Sequence, residues 1–373
     1  MIYRVVIIGS PEQMVLFDRT LKANKSLATQ HIASLSIDYF YKEIPSHPDR
    51  ASMEKKRRKA GSVATWDVLK TVKGLYHLGI DNYSLEPTPG GTKGSRIPRQ
   101  VLRGLKSLSI RERPPCKAGY ADWLAVAAPT LERLRCPMYA PIIVPDSLPH
   151  LRSLNFSPTW GRSPKFLNVA IGREGSVHRP ALEDLSMNLR SDDKAPDVLA
   201  ALKQQSPTLR RLHLSLLYCM PRGSDAAALT RSVLSIVRAA TRLRVLALQI
   251  DELSTPSGVT AKDLADALPA GLREFTFGGR RSRETDIATE LVELVVERST
   301  GLDPQLPELC NLTIGAVDGH YSVAHRGVQV KLRQGPRKKL IEAARKEGLE
   351  IVLLQNPMEP ALPWRFVNSG ISK

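Results

Sequence analysis

Apolar residues recur along this chain in a fixed frame, in which the second follows the first by three positions and the third follows by two more. Leu209, Leu212 and Leu214 form the clearest copy. Close copies begin at Leu75, Leu105, Leu131, Leu151, Leu182, Leu243, Leu272 and Leu309, and looser copies at Tyr3, Ile32 and Leu349. A frame that returns this often indicates an internal repeat.

Each copy predicts a short β-strand with one buried face and one wet face. The last two apolar residues of a copy are two positions apart, so their side chains point to the same side of an extended segment. The residues that alternate with them are mostly polar or charged, as in Ser153, Asn155 and Ser157. We therefore expect the apolar side of every strand to lie in a shared core.

A helix-like run with apolar residues three and four positions apart precedes most copies. Leu229, Val233 and Val237 form such a run before the copy that begins at Leu243. Further helices are predicted at Glu12–Leu21 and Thr285–Arg298. A proline or glycine commonly separates helix from strand, because proline lacks the backbone donor that a helix interior needs.

A single helix–strand unit of this kind cannot fold alone. It buries about six large apolar side chains at roughly 2 kcal/mol each, while ordering about thirty residues costs roughly 1.5 kcal/mol apiece. Stacking on neighbouring units must supply the difference, which is how solenoids are stabilised. We predict one solenoid over residues 1–355 with about 11 or 12 repeats, followed by a tail over 356–373 that packs as a cap or lies free.

The frame resembles the first half of the leucine-rich-repeat motif, Leu-x-x-Leu-x-Leu. This resemblance implies an α/β fold, an irregular leucine-rich-repeat-like solenoid with a parallel sheet on the concave face and helices on the convex face. The asparagine or cysteine of the family's second half is missing, and the repeats vary in length. In these respects the chain is similar to the repeat regions of eukaryotic F-box proteins, although it contains no F-box motif. A cullin adaptor is implied as a partner only if an F-box exists outside this chain.

Two inserted loops and one unusual strand interrupt the repeats. Residues 41–62 are predicted to be a basic loop and residues 84–100 a flexible loop rich in glycine and proline. Val5–Ile8 is apolar on both faces, which is unusual at the end of an array. Either the following helix or a preceding segment would have to cover it.

The formal charge of +17 has three explanations. The first is a mixed, solvated surface. The second is nuclear import, for which the candidate signal in the basic loop consists of Lys55, Lys56, Arg57, Arg58 and Lys59. The third is nucleic-acid binding, which makes a basic nuclear nucleic-acid-associated protein the alternative function. Aromatic residues are only 5% of the chain and are not interleaved with the basic ones, so base-stacking platforms are not evident.

Catalytic and metal-binding motifs are absent from the sequence. It holds no phosphate-binding glycine loop, no nucleophile elbow and no histidine pair with metal-ligand spacing. We therefore expect no enzymatic activity, no cofactor and no metal. The four cysteines are widely spaced, and no apolar run is long enough for a bilayer, so we expect a cytoplasmic or nuclear protein without membrane contact.

The wet face of the strands is the candidate functional surface. In a solenoid this face lines a long groove to which many repeats contribute. Small side chains there leave room for a partner, and isolated charges of both signs set specificity. We therefore expect non-catalytic protein binding, and by resemblance the recognition of ubiquitin-ligase substrates. The candidate contact residues are Asp38, Asp81, Arg111, Arg133, Arg135, Asn155, Asp184, Asn188, Arg211, His213, Glu274 and Asn311.

Overall fold

The protein is described by a computed structural model. The residues that the structure describes are 5–30, 32–37, 48–81, 98–111, 123–137, 147–157, 181–188, 195–215, 224–249, 260–279, 285–300, 305–316, 342, 344–346 and 348–354. The chain divides into two compact units, Met1–Asn188 and Leu189–Lys373.

The first unit contains a parallel sheet whose strands follow one another in chain order. Strands that are neighbours in the sequence pair with each other in parallel. Its strands are β1 (Val5–Ile8), β2 (Ser34–Ile37), β3 (His77–Asp81), β4 (Ser107–Arg111), β5 (Arg133–Pro137), β6 (Ser153–Ser157) and β7 (Asp184–Asn188).

The second unit repeats this organisation. Its neighbouring strands are again parallel and in chain order. They are β8 (Arg211–Ser215), β9 (Val245–Gln249), β10 (Glu274–Gly279), β11 (Asn311–Ala316) and β12 (Glu350–Leu354). Parallel strands joined by helices make the protein a member of the α/β class.

Helices of varied length connect the strands. They are α1 (Pro11–Ala23), α2 (Lys25–Gln30), α3 (Pro48–Thr71), α4 (Arg99–Leu102), α5 (Trp123–Ala127), α6 (Ala195–Gln205), α7 (Ser224–Ala239), α8 (Ala261–Ala265) and α9 (Thr285–Thr300). The helices predicted at Glu12–Leu21 and Thr285–Arg298 are confirmed by α1 and α9.

Side-chain caps explain where two of the helices begin. The hydroxyl of Ser10 accepts a hydrogen bond from the backbone N–H of Gln13, and Pro11 occupies the first turn of α1, where a missing N–H costs nothing. At α8, Thr260 and Asp263 cap each other reciprocally in a capping box. Short polar residues in the sequence thus set the helix starts.

The repeated apolar frame forms the core. The strand residues Leu78, Leu108, Leu154, Leu212 and Leu246 all have at most 1% of their surface exposed. Within each unit these leucines stand opposite one another in the pairing register, as Leu78 does with Leu108 and Leu212 with Leu246. The predicted inward placement of the frame is therefore confirmed at these strands.

Handedness indicates which side of each sheet the described helices occupy. Crossovers between parallel strands are almost always right-handed, so connections that advance steadily along a sheet lie on the same side of it. Buried helix residues such as Met14, Val68 and Val233 therefore pack on the side of the frame leucines. The other side of each sheet, called here the outward face, consists of the strand residues that alternate with the frame.

A hydrogen-bond motif recurs where the chain enters eight of the strands. The N–H groups of Glu132 and Arg133 both donate to the carbonyl of Lys106, the residue just before β4. Arg273 and Glu274 donate in the same way to the carbonyl of Arg244. The same pair of bonds links β2 to β3, β3 to β4, β5 to β6, β6 to β7, β8 to β9 and β10 to β11. We call the accepting group the entry carbonyl.

Two kinds of residue make the corner before the strand. Gly74 and Gly104 have positive φ angles of 72° and 87° and directly precede the first apolar residue of their frames. At β8 the corner is instead a single 3₁₀ turn, Ser206–Thr208, with Pro207 inside it. Glycine permits the left-handed backbone and proline fixes its own φ, so either residue stops the helix.

The predicted basic loop over 41–62 is wrong for residues 48–62, which belong to helix α3. Pro48 stands at the first position of this helix, where proline is tolerated. Gly61 allows close contact with α1, because a Cβ at Gly61 would lie 2.6 Å from the Cβ of Pro11. Residues 41–47 lie outside the described residues. The last two residues of the predicted 84–100 loop belong to the short helix Arg99–Leu102. Residues 84–97 lie outside the described residues as well.

The frame copy at Leu349, Val352 and Leu354 is also wrong. The register pairs Leu312 with Ile351 and Thr313 with Val352, so the strand is shifted by one residue from the predicted frame. A shift of one residue exchanges the two faces of a strand. The predicted tail over 356–373 lies outside the described residues.

Candidate functional site

The predicted contact residues lie on strands wherever the structure describes them. Asp38 is outside the described residues, and for Asp81, Arg111 and Asn188 only the backbone is described. The side chains of Arg133, Arg211 and Glu274 are exposed, and those of Arg135, Asn155, Asp184 and Asn311 are half-buried. Asp81 and Arg111 are register partners on β3 and β4.

On the first unit, the structure brings several predicted residues together. Arg133 pairs with Ser107 on one side and Ser153 on the other, and Arg135 pairs with Ser109 and Asn155. Asp184 follows beside Ser153 on β7. Strand β5 thus carries two arginines whose register partners are small neutral residues, with one acid two strands away.

On the second unit, Arg211 and Glu274 both flank Val245 across the central strand β9. Asn311 continues the same row beside Glu274. This row therefore has isolated charges of opposite sign, each separated from the next by a neutral residue.

His213 was predicted to face water, but only 6% of its surface is exposed. Burial removes water from the imidazole and lowers its pKa to about 4, although a hydrogen bond with the side chain of Gln249 works in the opposite direction. His213 is therefore a neutral, buried part of the outward face. It offers no charge to a partner.

Several serines of the outward face are also buried, which the sequence did not reveal. Ser34, Ser107 and Ser109 each expose less than a tenth of their surface. The hydroxyl of Ser107 lies 2.8 Å from Nδ1 of His77 on the neighbouring strand. Small side chains on strands packed about 4.8 Å apart are shielded by their larger neighbours. The outward face of the first unit therefore has recessed serine hydroxyl groups between larger side chains.

The residues predicted from the sequence did not include a second set of charged side chains, which lie directly before the strands. Lys106 Nζ lies 2.5 Å from Glu132 Oε1, and Arg152 Nη1 lies 3.4 Å from Glu183 Oε1. The hydrogen bond from Lys106 is the main cause that holds the pKa of Glu132 below its usual value. These residues occupy equivalent positions on successive repeats, so a charged residue directly after the first frame leucine was the available signal.

In the second unit, two of the equivalent positions directly before the strands are basic, Arg244 and Arg273. Arg244 and Arg273 both bind Glu308, with Nη1 of Arg244 at 2.6 Å and Nε of Arg273 at 3.0 Å from its Oε2 atom. The hydrogen bond from Arg244, followed by that from Arg273, lowers the pKa of the Glu308 carboxyl. Arg244 also donates to the carbonyl of Gly271 at 2.8 Å.

The candidate nuclear-import residues lie on helix α3, and they divide into two groups. Arg57 forms ion pairs with Glu12 and Glu54, and Arg58, with 11% of its side chain exposed, bonds to Glu54. The remaining three are exposed lysines that form no ion pair within the described part of the chain: Lys55, Lys56 and Lys59. The two arginines thus form ion pairs on α3, one of them to α1, and the three lysines are exposed to solvent.

A search of the described residues for metal sites found no group of three or more histidine, cysteine or acidic side chains able to hold an ion. Among the helices that the structure describes, none combines the length and the apolar character that crossing a bilayer requires. We found no match to this chain among models of protein families or among curated protein sequences.

Proposed function

We propose that this chain is a leucine-rich-repeat-like solenoid that binds another protein, without catalysis, through the outward face of its strands. The supporting observation is that charged side chains on the outward face of each unit are exposed to solvent. Parallel sheets usually have helices on both sides, whereas right-handed connections in chain order would put the described helices of each unit on one side. The outward side has exposed charges such as Arg133 and Glu274 between smaller residues.

A crosslinking experiment tests this proposal. A photoreactive phenylalanine analogue replaces Asn155 on the outward face or, as the matched control, Arg103 just after α4 on the helix side. In cells we expect a discrete crosslinked protein product from the position of Asn155 and none from the position of Arg103. Equal products from both positions, or none from either, would contradict the proposal.

A finer form of the proposal follows from the resemblance to F-box proteins. In this form the outward face recognises the substrate of a ubiquitin ligase, and an F-box outside this chain recruits a cullin adaptor. Affinity purification of the full natural protein tests it, with the adaptor detected by immunoblotting. Absence of the adaptor removes the ligase role and leaves the protein-binding role intact.

The three exposed lysines of α3 favour a second candidate, binding to nucleic acid. Lysines at positions 55 and 59 are four residues apart, so both lie on one helix face with Lys56 beside them. Filter binding of duplex and single-stranded DNA at two salt concentrations separates the candidates. A steep loss of affinity with salt that disappears in a Lys55, Lys56 and Lys59 to Gln triple variant supports nucleic-acid binding.

A further inference from the structure

The two halves of helix α3 differ in how they are packed. In the second half, side chains such as Val68 and Leu69 have no exposed surface. From Ser52 to Ala60, by contrast, no side chain is buried. Within the described residues, this part of the first half therefore adds no buried side chain to the core, although the helix continues through it without a break.

One face of α3 carries apolar and basic side chains that are all exposed. Its residues follow one another at intervals of three and four positions, and they are Met53, Lys56, Ala60 and Val63. Met53 is 72% exposed and Val63 is 40% exposed. Such intervals place side chains on one helix face, and they are the intervals along which one helix packs on another. We call these four residues the exposed row.

Unpaired positive charges lie on and beside the exposed row. Within the described part of the chain, three exposed lysines of α3 form no ion pair: Lys55, Lys56 and Lys59. The only acid between Ser52 and Ala60 is Glu54, which is bound to Arg57 and Arg58. Like charges three or four residues apart on a helix repel each other. An acidic ligand would relieve this repulsion, so the charge of the face favours a negatively charged partner.

We propose that the exposed row binds an acidic amphipathic helix of another protein. Apolar residues of that helix would pack on Met53 and Val63, and its carboxylates would pair with the lysines. Helices that dock in this way use apolar anchors at intervals of three and four residues. The backbone of a nucleic acid would use the lysines alone, because its phosphates offer no apolar surface to Met53.

The exposed row belongs to a helix and not to the outward face of the strands. The inference is therefore independent of the function proposed for that face. A chain with both surfaces could hold two proteins at once.

Fluorescence anisotropy with three labelled synthetic peptides tests the proposal. The first peptide is a helix with leucines at intervals of three and four residues and glutamates on both flanks. The second has the same composition in an order that breaks the leucine row, and the third has lysine in place of glutamate. We expect the full chain to bind the first peptide at least about tenfold more tightly than either of the others. The second peptide separates recognition from the attraction of any acidic peptide to a chain of charge +17.

Substitutions locate the surface. Met53→Gln should weaken binding of the first peptide about tenfold, because it removes apolar contact area. Lys56→Gln should weaken it about threefold, as expected for one exposed ion pair. Two matched controls should leave binding unchanged: Ile7→Gln, at an apolar residue of β1 that is 67% exposed, and Lys203→Gln, at an exposed lysine of α6. Circular-dichroism spectra verify that all four variants fold.

Duplex DNA and vesicles of anionic phospholipid serve as competing ligands. We expect Met53→Gln to leave the affinity for DNA unchanged while it weakens binding of the first peptide. Equal binding of the first and second peptides would overturn the proposal, as would equal losses in Met53→Gln and Ile7→Gln. Tighter binding of DNA or vesicles than of the first peptide would assign the exposed row to those ligands instead.

Discussion

Leu212 contributes to stability through the complete burial of its side chain. It has no exposed surface and stands opposite Leu246 in the pairing register. We expect Leu212→Ala to reduce the free energy of unfolding by about 2–5 kcal/mol and Leu212→Asp to prevent folding, because a carboxylate would be buried without a partner. Thermal melts followed by circular dichroism measure both effects.

Volume-conserving and neighbouring substitutions serve as controls. Leu212→Met should cost less than about 1.5 kcal/mol, because its volume is nearly conserved. Arg211→Glu, at the exposed adjacent position, should leave the melt close to that of the natural chain. A natural melting curve for Leu212→Asp would place this side chain on the outward face instead.

The buried His213 makes stability depend on pH. Its native pKa of about 4 lies below the ordinary histidine value of 6.5. Between these values the unfolded chain binds a proton that the native protein excludes, so stability is present in full above pH 6.5 and is lost as pH falls towards 4. At 1.36 kcal/mol for each pKa unit, the loss reaches roughly 3 kcal/mol.

Denaturant unfolding between about pH 7 and pH 5 measures this effect, because carboxyl groups with lowered pKa values, such as Glu132, stay ionised there. His213→Gln keeps a polar group near Gln249 but cannot titrate, so its stability should be nearly flat over the same interval. A slope as steep as in the natural chain would assign the effect to other groups.

Single residues of the core could be predicted from the sequence, whereas the burial of some residues on the outward face could not. Leu108 and Leu154 alternate with polar residues, and this alternation is enough to place them inward. The burial of His213 and Ser109 depends on which side chains stand beside them on adjacent strands. The pairing register determines which side chains are neighbours on adjacent strands, and the sequence alone does not specify that register.

At the scale of elements, the contact between α1 and α3 depends on a glycine. Alanine normally stabilises a helix interior by about 1 kcal/mol relative to glycine. At Gly61 we expect the opposite, because the added Cβ would lie 2.6 Å from Pro11. Gly61→Ala should therefore lower the melting temperature.

Ala60→Gly is the matched comparison, since Ala60 is exposed on the same helix. This substitution should destabilise by about 1 kcal/mol through propensity alone. Stabilisation by Gly61→Ala would show that α1 does not approach α3 this closely.

Two elements escaped prediction for related reasons. The first half of α3 has charged residues around most of its circumference, including Lys55 and Arg58, so it has no continuous apolar stripe. In β12, the run Ile351–Leu354 is apolar at every position. Alternation cannot then decide which side faces inward, and the observed register depends on pairing with β11.

At the scale of the whole molecule, we expect protection against hydrogen exchange to vary along the first unit. Strand β1 is paired with β2 and, within the described residues, with no other strand, while β4 is paired on both sides. Ile7 on β1 is also 67% exposed, so α1 does not cover this side of the strand. Edge strands open more readily than interior ones.

Hydrogen–deuterium exchange read by mass spectrometry should therefore show fast exchange for residues 5–8 and slow exchange for residues 107–111. Leu108→Ala, in the interior, should accelerate exchange in β3 and β5 as well as in β4. Protection of β1 equal to that of β4 would indicate that something else pairs with its open edge.

The repeated frame was enough to predict strands in chain order and the α/β class. It could not predict the division after Asn188, because the frame continues through Leu182 and Leu209 without a change of composition. The two rows of charge before the strands also differ between the units, since Lys106 and Glu132 alternate in sign whereas Arg244 and Arg273 do not. These differences depend on single positions within an otherwise common plan.

The entry carbonyl has a consequence for how such a chain can change over generations. At eight of the described strand entries, the incoming strand offers the same two donors and the preceding strand offers the same acceptor, as Lys106 does for Glu132 and Arg244 does for Arg273. Duplication or loss of a complete helix-and-strand module in the gene would therefore rejoin matching partners. Growth by whole modules conserves the hydrogen bonds, whereas an insertion within a strand would break them.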